Sequence, residues 1–205
     1  GSISRSGQPV FASETVIDAL EEAAADETVR AIVLRIDSPG GSAFPSEPMW
    51  HAIRAAREKK PVIASFSDYV ASGGYYLASA ADAIVSQPAT LTGSIGVISQ
   101  FVNVKGLAER FNVKLETVKS GKLKDAGNPF RDMTPEDRAY WQALIDRVHG
   151  QFMAAVAEGR KLELGAVRKI ADGRVVTGAE AKDLGLVDQL GNFYDAVELA
   201  KSEAK

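Results

Sequence analysis

Val33-Leu34-Arg35-Ile36-Asp37-Ser38-Pro39-Gly40-Gly41 is the stretch on which the reading of this chain turns. Ile32, Val33 and Leu34 form a continuous apolar run, the pattern of a strand covered on both faces, and the spacing predicts a strand over 29–36. The strand leaves through Pro39-Gly40-Gly41, a turn whose backbone is unobstructed by side chains. Upstream, Ser13 can cap a helix running to about Ala25 with Val16, Ile17, Leu20 and Ala24 on one face. Downstream, a helix is expected from about Ser46 to Lys59, then a strand over 61–66. Helices alternating with short β-branched strands define an α/β domain.

Beyond residue 66 comes Ala71-Ser72-Gly73-Gly74-Tyr75-Tyr76, whose second half begins a further helix. A short strand is predicted over 83–86, a Gly/Thr/Ser-rich turn over 88–96 and an alternating strand over 113–118. Residues 119–131, with Gly121, Gly127 and Pro129, read as a loop. Thr134-Pro135-Glu136-Asp137 is a helix start, followed at helical spacing by Tyr140, Trp141, Leu144, Ile145, Val148, Phe152 and Val156. Two or three shorter helices complete the tail. With no repeat, low-complexity run or linker, residues 1–205 read as one domain.

The chain has 205 residues, 45% of them apolar, enough to bury a core. Its net charge is −3, and its 24 Lys and Arg residues are dispersed, which argues against a nucleic-acid partner. The absence of cysteine excludes disulfides, a thiol nucleophile and thiolate metal sites. No stretch approaches the roughly 20 apolar residues of a membrane span, and Gly1-Ser2-Ile3-Ser4 lacks the regions of a signal peptide. Gly1-Ser2 reads as a cloning scar or as the remnant of a strand cut away.

Two turns can carry chemistry. Ser38-Pro39-Gly40-Gly41 would expose amides of the kind an oxyanion hole requires, or serve only as a tight turn. Ser72, between small residues after a strand and before a helix, reads as a nucleophile whose following amide, that of Gly73, faces a developing oxyanion. It reads equally as a helix N-cap, since the Gly-x-Ser-x-Gly pattern is absent.

A serine nucleophile needs a base. The two histidines, His51 and His149, fall inside predicted helices, which disfavours a Ser/His/Asp triad and leaves lysine. An ordinary lysine is neutral in roughly one molecule in two thousand at pH 7, so a lysine base needs burial or a nearby cation to release its proton. Ser120-Gly121-Lys122-Leu123-Lys124-Asp125 offers Lys122 and Lys124. Ser202-Glu203-Ala204-Lys205 matches a Ser-x-x-Lys pattern but lies at a chain end, where fraying makes the match meaningless.

Together these stretches resemble the signal peptide peptidase A family in its short form. Besides the segments over 33–41 and 71–76, the likeness is carried by Leu91-Thr92-Gly93-Ser94-Ile95-Gly96-Val97 and by Lys119-Ser120-Gly121 through Lys124-Asp125. A fifth segment runs from Ile170-Ala171-Asp172-Gly173-Arg174-Val175 through Thr177-Gly178 to Gly185-Leu186-Val187-Asp188. The resemblance implies a Clp/crotonase-like superhelix of ββα units with a helical C-terminal part. It makes Ser72 the nucleophile, Lys124 the base and Ser94 the residue orienting the lysine, with the amides of Gly41 and Gly73 as oxyanion hole.

The family further implies a ring- or dome-shaped homo-oligomer and needs no cofactor or metal. Its substrates would be cleaved signal peptides and other apolar peptides. Family members carry an N-terminal transmembrane helix and a further strand, so the expectation is a soluble catalytic part of a protein anchored in the bacterial cytoplasmic membrane, acting on the extracytoplasmic side. Two rivals share the fold. A crotonase-type acyl-CoA enzyme would need a carboxylate base near the glycine turns, and an inactive membrane scaffold would have lost the serine or the lysine.

Overall fold

In the computed structural model, which describes residues 13–204, the central strand is the longest one. β2 (Val62–Ala71) has its first five residues buried, as a strand covered on both faces should. β1 (Ile32–Ser38) pairs with it in parallel, Ile32 opposite Val62 through Ile36 opposite Phe66, and shifts register before Ser38 meets Val70. β3 (Ala83–Ser86) pairs with the first half of β2 and β4 (Leu91–Gly93) with the second, both in parallel. Two short late strands complete the sheet. β5 (Val175–Thr177) runs antiparallel to β4, and β6 (Gln189–Leu190) parallel to β3.

The helices are α1 (Ser13–Ala25), α2 (Ala43–Arg57), α3 (Gly73–Ala78), α4 (Lys105–Arg110), α5 (Pro135–Arg160), α6 (Leu164–Ile170), α7 (Gly178–Asp183) and α8 (Phe193–Glu203). Sequence-coded caps fix several starts. Thr177 with Glu180 and Asn192 with Asp195 form capping boxes on α7 and α8, and Thr134 exchanges backbone-to-side-chain hydrogen bonds with Asp137 before α5. The main core gathers Leu20, Met49, Ile53, Phe66, Tyr75 and Ile84. Among the described residues no helix is long and apolar enough to cross a membrane.

Among the described residues the chain forms two compact units, one of residues 13–96 with 150–204 and one of residues 97–149. The first holds the whole sheet. The second holds α4, the first part of α5 and the loops between.

Several boundaries differ from the sequence expectation. The first strand starts at Ile32 because Asp26 turns the chain, its carboxylate accepting from the amide and hydroxyl of Thr28 and its carbonyl from the amide of Val29. β2 runs on to Ala71 because β4, forming inside the expected 88–96 turn, gives its second half a partner. The strand expected over 113–118 is not formed: every side chain there is exposed, and no described segment pairs with it. Gly1-Ser2 and Lys205, the last residue of the discounted Ser-x-x-Lys match, lie outside the described residues.

Candidate active site

β2 and β4 end side by side, with Ala71 opposite Gly93 and the amide of Ser72 donating to the Gly93 carbonyl at 2.9 Å. The next residue on each strand is a serine in left-handed backbone: Ser72 and Ser94 both have φ +50°. Such conformations are uncommon outside glycine and cost about 1–3 kcal/mol. Ser94 is held by its amide, which donates to the Arg174 carbonyl at 2.8 Å, just ahead of β5.

Ser72 stands at the N-cap of α3 with φ 50°, ψ −123°, and its side chain makes no capping hydrogen bond. The capping reading of this serine therefore fails on its own terms, since an N-cap hydroxyl stabilises a helix by accepting from its first amides. The residue is pinned through its backbone, the Ser72 carbonyl accepting from Tyr76 N at 2.8 Å. Beneath it α3 is anchored by Tyr75, whose hydroxyl donates to the Leu186 carbonyl at 2.8 Å; burial pushes its phenol pKa up. Gly73 opens α3, where an amide has no intrahelical acceptor.

The Pro-Gly-Gly turn lies directly against this serine. Gly40 is buried with φ +104°, and an ideal Cβ there would fall 2.7 Å from Ser72 Cβ and 2.8 Å from Gly73 N. Its amide donates to the buried Ser38 hydroxyl at 3.1 Å. Gly74 faces the same strand exit from the other side, its ideal Cβ 2.9 Å from the Ser38 carbonyl oxygen. The structure thus brings Ser72, Gly73, Ser94 and the turn ending in the exposed Gly41 to one end of the sheet. Gly40 and Ser38 stood in the turn that the sequence singles out but had no role of their own there; their only signal was membership of that turn.

The second unit carries Lys124 on an exposed loop built around Arg131. The guanidinium donates to the Asp125 carboxylate at 2.9 Å from Nε, to the Asp125 carbonyl at 3.0 Å, and to the Asp137 carboxylate, which is 2% exposed. Hydrogen bonds from Arg131 and then Lys119 bring the Asp125 carboxyl down to about 2. Those from Arg131 and Thr134 hold Asp137 well below the usual carboxylate range. Lys119 pairs with Asp125 at 2.5 Å and Lys122 pairs with Glu136. Among the described residues Lys124 alone of these three lysines has no ion pair, so the two candidates left open by the loop sequence differ in kind.

His51 is exposed on α2, 4.0 Å from the Glu47 carboxylate. His149 lies in α5 with Nε2 buried and without a hydrogen-bond partner. Among the described residues neither is hydrogen-bonded to Ser72, and no group of three or more His, Asp or Glu could hold a metal ion.

The fold is shared with a ClpP1 mutant from Listeria monocytogenes, at TM-score 0.62 over 96% of this chain and 91% of that one, with 19% identity. It is therefore a Clp/crotonase-like α/β fold, as the motifs implied. Residues 54–205 match Peptidase family S49, and the chain belongs to that family of serine-type peptidases. The "Serine protease SPPA, chloroplastic" of Arabidopsis thaliana is 37% identical over 205 residues, covering 100% of this chain and 30% of that protein. The "Putative signal peptide peptidase SppA" of Enterococcus faecium is 38% identical over 183 residues, covering 88% of this chain and 53% of that protein. The chain thus spans about half or less of the length of these relatives. Membership sets aside the acyl-CoA reading.

Proposed function

We propose that this chain is one catalytic domain of an endopeptidase with a Ser/Lys dyad, in which Ser72 is the nucleophile and Lys124 the general base. The observation that carries the reading is the backbone of Ser72: a non-glycine residue at φ 50° with a part-exposed side chain that caps nothing. Strain of this kind persists where the surrounding structure over-determines it, and it clusters at sites of chemistry. Lys124 is favoured over Lys122 because the latter is spent on Glu136.

In this reading the neutral Lys124 amine takes the proton of the Ser72 hydroxyl as Oγ bonds to the scissile carbonyl carbon. The oxygen that gains negative charge is met by the amides of Gly41 and Gly73. Collapse breaks the C–N bond, and the Lys124 ammonium gives its proton to the departing amine. Water, deprotonated by the same amine, then releases the acyl group from Ser72. Ser94, which follows the Gly93 paired with Ala71, orients the lysine.

The substrates are cleaved signal peptides and other apolar peptides, met by a homo-oligomer anchored at the membrane. Support comes from the name of the Enterococcus relative. A fluorophosphonate probe should label the chain at Ser72 and leave Ser72→Ala unlabelled. Leu- and Ala-rich peptides should be cut best; preference for charged residues on both sides of the scissile bond would overturn the apolar-substrate reading.

A further inference from the structure

Lys124 stands on a run of tight turns, and one guanidinium ties that run to a rigid element. Lys124 N donates to the Gly121 carbonyl at 3.1 Å, Ala126 N to that of Leu123 at 3.1 Å and Asn128 N to that of Asp125 at 3.0 Å. Such turns set only the local path of the chain. The Lys119 ammonium closes the run on itself, donating to the Lys122 carbonyl at 3.0 Å and to the Asp125 carboxylate. Arg131 reaches further, and uses all five of its N–H groups. Nε and Nη2 grip the two oxygens of the Asp125 carboxylate, Nη2 also holds the Asp125 carbonyl, and Nη1 donates to the Asp132 carbonyl at 3.0 Å and to the Asp137 carboxylate. Asp137 is buried in the first turn of the 26-residue α5, where it is locked to Thr134. The residue after Lys124 is thereby fixed, main chain and side chain, to the start of a long helix.

We propose that Arg131 is a positioning residue for the hydrolysis: it places Lys124 by holding Asp125 against the start of α5. The proposal rests on Lys124 being the base. A reacting group displaced by about 1 Å can cost about a hundredfold in rate, so a base carried on turns needs such a hold. A lysine at position 131 would keep the charge, but as a point donor it cannot grip one carboxylate at two points and reach a second. Further along the loop Gly127, at φ +87°, lies against Phe101: an ideal Cβ there would fall 2.7 Å from that ring, which packs on Trp141 of α5 with ring centroids 4.8 Å apart. Changes at Arg131 leave this apolar anchor in place, so they loosen the segment next to Lys124 while the rest of the loop stays attached.

On a Leu- and Ala-rich peptide, Arg131→Lys should lower kcat about a hundredfold with KM within about threefold of wild type, as when an interaction used only in the transition state is lost. Asp125→Asn, which weakens the same link from its other end, should show the same split. Circular dichroism on both variants should show the fold retained. Guanidinium ion, added well below denaturing concentration, should raise kcat of Arg131→Ala about tenfold by refilling the vacated donors, and should leave Lys124→Ala inactive. A purely structural role would not respond to guanidinium in a folded protein. Arg131→Lys within about twofold of wild type in kcat, beside an inactive Lys124→Ala, would overturn the proposal and leave the dyad standing. A loss carried by KM alone, or one that guanidinium does not relieve, would also overturn it. An active Lys124→Ala would overturn the dyad and the proposal together.

Discussion

An added Cβ on Gly40 would lie 2.7 Å from the Cβ of Ser72, nearer than two non-bonded carbons approach in any packed protein. The same position has φ +104°, so a side chain there is strained as well as crowded. Gly40→Ala should therefore push the strand exit away from the serine turn, displacing Gly41 and Gly73 from one another. Losing one oxyanion donor typically costs about a hundredfold or more in turnover. Steady-state kinetics on folded Gly40→Ala should show a loss of that size in kcat. Activity within twofold of wild type would mean that the glycine turn has no part in catalysis.

The backbone of Ser72 makes a second prediction about stability and activity together. Its φ and ψ suit glycine, so Ser72→Gly relieves strain that Ser72→Ala retains. Both variants should lose peptide hydrolysis. Ser72→Gly should nevertheless be the more stable by about 1 kcal/mol, or about 2–4 °C in Tm for a chain of this size. Equal melting temperatures would show that the serine backbone is not strained in solution.

The Ser72 turn also shows how far the sequence could be read. The apolar runs at 32–34 and 62–66 marked the two strands of the parallel pair β1–β2, although only the second is buried along its whole run; β1 is half-exposed. Ser72 itself was visible, but whether its side chain caps α3 was not. That answer rests on a dihedral angle and a missing capping bond, neither of which is encoded locally. β5 and β6, three and two residues long, carry too few side chains for any periodicity to register. The strand expected over 113–118 failed for a different reason: pairing is non-local, and a good strand sequence without a partner in its own chain remains unpaired.

Acid should loosen the loop that carries Lys124 before it unfolds the rest. Asp125, brought down to about 2 from an ordinary 3.8 chiefly by Arg131 and then Lys119, is a group whose folded pKa is depressed. Its contribution is full above the ordinary value and is lost as pH falls through about 2. Amide exchange over residues 119–131 should therefore accelerate between about pH 4 and pH 2. Asp125→Asn should exchange faster already at neutral pH and lose most of that acid dependence. A wild-type loop equally protected at both ends of the window would remove the clamp from the account.

The two lysines of the loop should separate cleanly. Lys122→Ala breaks a surface pair with Glu136 and should change kcat/KM by less than about threefold, since exposed ion pairs are worth little. Lys124→Ala should abolish hydrolysis with the fold intact, because nucleophile and base act as one unit. A His51→Gln, His149→Gln double variant should keep kcat/KM within about threefold of wild type; abolished hydrolysis with the fold intact would transfer the role of base to imidazole.

The exposure of Lys124 leads to the final prediction. A base must spend time neutral, and a dry setting is what drives an amine to release its proton. The Lys124 loop offers no such setting in a single copy of the chain: Lys124 is exposed, and so are Ser120, Gly121 and Lys122 before it. A neighbouring subunit can supply the missing cover, and the cover would be most useful if it also brought the serine. The dyad is therefore expected to be completed between subunits, Ser72 from one copy meeting Lys124 from the next. Ser72→Ala and Lys124→Ala proteins are each inactive in this account. Mixed in equal amounts under subunit exchange, they should recover up to about a quarter of wild-type activity, the share of interfaces pairing an intact serine with an intact lysine if copies mix at random. Exchange demonstrated with labelled subunits but accompanied by no recovery would place both residues of the dyad in one copy.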